Sequence, residues 1–80
     1  MRITKDNIYE FIKGTSMDCY NKGVTKIDYI PEGITDIECW SNQLTKLPIL
    51  PNSLIFLDCS DNQLTSLPIL PENLEHLNCY

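Results

Sequence analysis

Cysteine returns at Cys19, Cys39, Cys59 and Cys79, each 20 residues after the last, and the surrounding chain returns with it. Leu47-Pro48-Ile49-Leu50-Pro51 recurs as Leu67-Pro68-Ile69-Leu70-Pro71, and Asn42-Gln43-Leu44-Thr45 recurs as Asn62-Gln63-Leu64-Thr65. A fixed period of this size marks stacked units, each burying its apolar face only against its neighbours. The expectation is a solenoid, with function sought in the columns of side chains that stacking lines up.

Aligned on its cysteines, one unit becomes legible. Leu54, Leu57, Cys59, Asn62 and Leu64 occupy the slots of Ile34, Ile37, Cys39, Asn42 and Leu44. The alternation of Leu57 and Cys59 with polar residues predicts a short half-buried strand, and stacking pairs these strands in parallel on a concave side. Asn42 and Asn62 fall where the chain leaves the strand, where an amide can satisfy turn backbone groups that the sheet no longer reaches. Pro48, Pro51, Pro68 and Pro71 exclude a regular helix on the return path and favour an extended, polyproline-like convex side. Pro31-Glu32-Gly33, Pro51-Asn52-Ser53 and Pro71-Glu72-Asn73 supply the turns into the following strands.

The two ends depart from the period. Ile8, Phe11 and Ile12 stand at i, i+3 and i+4, with Thr4 as N-cap, Lys13 in the last turn and Gly14 beyond it. This pattern predicts a short amphipathic helix over residues 1–14, capping the open end of the core. Residues 15–80 then form about four rungs, the first degenerate because Gly14 and Lys22 replace the usual apolar residue and Asn. At the other end the sequence stops within a strand, at Leu77-Asn78-Cys79-Tyr80. An uncapped strand presents unpaired backbone groups, so either the chain is a piece of a longer array or its edge meets another molecule. Leu74, Leu77, Asn78 and Tyr80 are the candidate oligomer edge.

The motif Leu-Pro-x-Leu-Pro-x-x-Leu-x-x-Leu followed by Asn-x-Leu-Thr resembles the short, 20-residue leucine-rich repeats of secreted bacterial effectors, over residues 14–80. Cysteine in place of the usual Val or Leu, as in Leu57-Asp58-Cys59-Ser60, resembles repeat arrays of large DNA viruses and some bacteria. The resemblance implies a curved solenoid whose concave parallel sheet binds other proteins. Some effectors of this type carry a separate ubiquitin-ligase domain after the repeats. Eighty residues leave no room for one, so that activity does not carry over.

The net charge of −5 disfavours nucleic acid and anionic membrane surfaces as partners. The N-terminus lacks the apolar stretch of a signal peptide, and no segment is long enough to span a membrane. The expected compartment is the reducing cytoplasm, or a host cytoplasm for an effector or viral protein.

A parallel stack points its four cysteines the same way in a line, about 4.8 Å apart and so roughly 14 Å from first to fourth. They cannot surround one zinc ion, and disulfides between rungs would be strained. A reduced core ladder is the favoured reading, with disulfide ahead of metal behind it. The outward positions are more informative. Asp18, Glu38, Asp58 and Asn78 form one column, Ser16, Asp36, Phe56 and His76 a second, and Tyr20, Trp40, Ser60 and Tyr80 a third. Like charges on neighbouring strands cost stability. The column is either a solvated face that keeps the protein soluble or a docking strip for Lys and Arg, with Tyr20 and Trp40 as anchors. His76, the single histidine, has no Ser or Cys nucleophile convincingly beside it, because the cysteines face the opposite side of the sheet.

These residues predict no catalytic, cofactor or metal site. The expected function is a protein-interaction module whose acidic and aromatic concave face, built from Asp18, Tyr20, Asp36, Glu38, Trp40, Phe56, Asp58 and His76, takes a basic partner. The alternative is a structural unit that self-assembles, as a homodimer or larger homo-oligomer, through its C-terminal strand edge.

Overall fold

One apolar residue centres each of the main strands, and those residues set the sheet. In a computed structural model, which describes residues 1–79, the strands are β1 (Arg2–Ile3), β2 (Ile12–Lys13), β3 (Ser16–Asp18), β4 (Lys26–Ile27), β5 (Asp36–Glu38), β6 (Phe56–Asp58) and β7 (His76–Asn78). Strands β2, β3, β5, β6 and β7 form one sheet in that order. Met17, Ile37, Leu57 and Leu77 lie side by side across β3, β5, β6 and β7, whose pairings are parallel with partners 20 residues apart. β2 instead runs antiparallel to β3, with Ile12 opposite Met17 and Lys13 opposite Ser16. β1 and β4 make a separate two-stranded parallel sheet, pairing Ile3 with Ile27.

Burial follows the alternation. Ile3, Ile8, Met17, Val24, Ile37, Leu44, Leu54 and Leu57 are fully buried, and Cys19, Cys39 and Cys59 lie among them. Removing this apolar surface from water is the main favourable contribution to folding. The polar groups left where the strands end are satisfied by Asn42 and Asn62. The Asn42 Oδ1 accepts from the backbone N–H groups of Lys22 at 3.1 Å and Val24 at 2.9 Å. Its Nδ2 donates to the carbonyls of Cys19 and Cys39, both at 3.0 Å. Asn62 does the same one unit on, accepting from the Leu44 N–H and donating to the carbonyls of Cys39 and Cys59. Each amide thus ties its own turn to the preceding one.

The expected solenoid, with its wholly parallel concave sheet, polyproline-like convex side and helical cap, is not what forms. The molecule is a compact sheet-rich globule, not a repeat solenoid of the leucine-rich type, and its main sheet is mixed. Its extents are 28 × 26 × 16 Å and its radius of gyration is 11.2 Å. A compact globule of this length has a radius of gyration of about 11.6 Å. The reason is proportion: a 20-residue period dictates which residues pair, but three parallel pairings build a sheet no longer than the molecule is wide.

The helical cap over residues 1–14 is also corrected, since there is no α-helix among the described residues. Only Ile8–Phe11 is helical, as a single 3₁₀ turn, whose three-residue repeat equally suits Ile8 and Phe11. Ile12 and Lys13, expected in the last turn, are drawn into β2. So short a segment has little helical stability of its own, and cross-strand pairing prevails. Gly14, at φ 62°, opens the two-residue loop between Lys13 and Ser16 rather than ending a helix. Thr4 does not cap a helix either: its N–H donates to the Asn7 Oδ1 at 2.7 Å and its Oγ1 accepts from the Asp6 N–H.

Candidate protein-binding face

The face of the main sheet opposite the cysteines carries the columns that strand pairing assembles. Asp18, Glu38, Asp58 and Asn78 stand in register across β3, β5, β6 and β7, as do Ser16, Asp36, Phe56 and His76. Asp18, His76 and Asn78 are exposed, whereas Asp36, Glu38, Phe56 and Asp58 are half-buried between their neighbours. Among the described residues the only ion pair joins Arg2 to Asp28 at 2.9 Å, away from this face. Asp18, Asp36, Glu38 and Asp58 therefore face solvent without a cationic partner within salt-bridge distance. Asp58 is engaged locally, accepting from the Ser60 backbone N–H at 3.1 Å and the Ser60 Oγ at 2.7 Å.

The aromatic residues form two pairs. Tyr20 and Trp40 stack face to face, with ring centroids 4.4 Å apart and planes 6° from parallel. Phe56 and His76 lie 6.0 Å apart with rings tilted by 46°. The first pair follows directly from the strand ends, because the Asn21 N–H donates to the Trp40 carbonyl at 3.0 Å. The turn at this point runs through Asn21, Ser41 and Asp61, with φ of 52°, 54° and 54°. Asn and Asp tolerate the left-handed region better than other side chains with a Cβ. Ser41 is held there with its Oγ donating to the Asp61 carboxylate at 2.7 Å.

Sequence reasoning missed the rim of this face. A groove of about 450 Å³ beside the Asp18 column is lined by Glu10, Phe11, Lys13, Asp18, Tyr20 and Lys22, so the first segment of the chain borders the strip. The usable signal was the glycine at Lys13-Gly14-Thr15-Ser16, a two-residue hairpin loop that would have placed β2 beside β3. The candidate edge is divided: Leu74 is half-buried against the core, Leu77 and Asn78 are exposed, and Tyr80 lies outside the described residues.

On the opposite side of the sheet the four cysteines are free, with Cys19, Cys39 and Cys59 buried and Cys79 exposed. Burial pushes the Cys19 thiol up to about 12, with the Asp18 charge adding to it. Burial likewise raises Cys39, and lifts Cys59 to about 11. These thiols stay protonated at neutral pH, and the thiolate is the reactive form. Among the described residues no group of three or more His, Cys, Asp or Glu is placed to hold a metal ion. No helix there is long and apolar enough to cross a membrane. No protein-family model matches the chain, and no curated protein matches it either.

Proposed function

We propose that the acidic and aromatic face of the main sheet binds a partner protein through a segment rich in Lys or Arg. The observation that carries this reading is the Tyr20–Trp40 stack, in line with Asp18 and Glu38, whose carboxylates have no cationic partner among the described residues. A guanidinium laid over the stacked rings gains cation–π attraction while its neighbours along the peptide meet the carboxylates. The docked charges also relieve the like-charge repulsion between adjacent strands. No catalytic role is assigned, and the free thiols suit a reducing compartment such as the cytoplasm.

Trp40 is the only tryptophan, so its fluorescence reports directly on the face. Titration with a peptide alternating Arg and Gly should give a saturable change that weakens as salt is raised. Replacing Asp18→Asn together with Glu38→Gln should weaken binding about tenfold. Asp58 is less suitable for this test because its carboxylate also holds Ser60. An affinity unchanged in the double variant, or no saturable change at millimolar peptide, would overturn the proposal.

A further inference from the structure

The two edges of the main sheet are unlike. β2, at one edge, is two residues long and carries Lys13, and short, Lys-bearing edges resist further pairing. β7, at the other, is the only strand of the parallel run without a carboxylate: His76-Leu77-Asn78 stands where β5 has Asp36-Ile37-Glu38 and β6 has Phe56-Leu57-Asp58. The His76 N–H donates to the Ile55 carbonyl, and the Asn78 carbonyl accepts from the Cys59 N–H. Residues 76 and 78 therefore direct their backbone groups to β6, and the N–H and C=O of Leu77 point to the open side. Behind that edge Leu67, Leu70 and Leu77 remain more than a third exposed, whereas the equivalent Leu47, Leu50 and Leu57 are buried.

We infer that β7 is the contact with a second copy of this chain, the two β7 strands pairing antiparallel across a two-fold axis through Leu77. Leu77 would exchange both backbone hydrogen bonds with its counterpart, and the exposed leucines of each copy would cover those of the other. Across such an axis His76 faces the copy's Asn78, so no two carboxylates meet. The same arrangement on β5 would set Asp36 against Glu38, and like charges directly opposite are destabilising. A two-fold contact also closes on itself, whereas β7 against the blunted β2 edge would leave another β7 open and propagate into a fibre.

The test is the mass of the full chain in solution, followed by sedimentation equilibrium from low to high micromolar concentration. The expected species at high concentration has twice the monomer mass. His76→Asp with Asn78→Asp sets carboxylates opposite each other and should raise the dimer dissociation constant at least about tenfold. His76→Lys with Asn78→Lys should do the same, and mixing the two variants should restore a dimer containing one chain of each. That rescue shows that both variants remain folded. A monomer at high micromolar concentration in the unsubstituted chain would overturn the inference. So would a dimer indifferent to both charge pairs, whose contact would lie elsewhere.

Discussion

Leu47-Pro48-Ile49-Leu50-Pro51 and Leu67-Pro68-Ile69-Leu70-Pro71 are the same five residues placed 20 apart, yet they do not share an environment. Leu47 and Leu50 are 8% and 5% exposed, whereas Leu67 and Leu70 are 37% and 40% exposed. The contrast extends along the molecule. Met17 and Cys19 are buried in one core with Ile3 and Ile8, beside the β2 hairpin, while Leu77 and Cys79, in the same slots, are exposed. Identical local sequence thus gives core at one end and surface at the other. Burial here is conferred by the neighbouring unit, so the apolar motif states only a capacity to be buried. Ile49 and Ile69, exposed alike at 87% and 93%, show the complementary case of a slot that no neighbour reaches.

The largest test of this contrast compares leucines one unit apart. Leu57→Ala empties a fully buried site and should cost about 4 kcal/mol, by lost transfer energy and the cavity left behind. Leu77→Ala, measured in dilute monomer by urea denaturation, should cost roughly 1 kcal/mol, because much of its surface already meets water. Equal losses would break the comparison.

A smaller difference is expected from the two asparagines. Asn42→Ala orphans the buried N–H of Val24 and the carbonyl of Cys19, while the Cys39 carbonyl keeps its bond from Asn62, and should cost about 3 kcal/mol. Asn62, half-buried beneath the exposed last unit, has water at hand to replace its amide. Asn62→Ala should cost about 1 kcal/mol in the same urea assay.

What could be read from the residues was pairing; what could not was closure. The 20-residue spacing states which residue stands beside which, and Asp36, Phe56 and His76 do line up across three strands. Alternation likewise separates Leu57 and Cys59 from Asp58 and Ser60, because side chains on a strand point to opposite faces. The period says nothing of segments outside it. Arg2–Ile3 is too short to register as a strand, and exists only because Lys26–Ile27 lies alongside. Ile8, Phe11 and Ile12 have helical spacing, but the hairpin at Gly14 claims Ile12, a preference decided by contact with Met17 rather than by local sequence. For the same reason the acidic and aromatic columns were legible, and the rim contributed by Glu10, Phe11 and Lys13 was not.

The claim that neighbours decide burial is tested most directly at the cysteines, which occupy one slot four times over. Dilute native protein is treated with a thiol-reactive probe at neutral pH, and each site is followed by mass spectrometry. Cys79 should label quickly, while Cys19, Cys39 and Cys59 stay unreacted until the protein is denatured, held as buried, protonated thiols. Rapid native labelling of Cys39, enclosed by the units on both sides of it, would contradict the account.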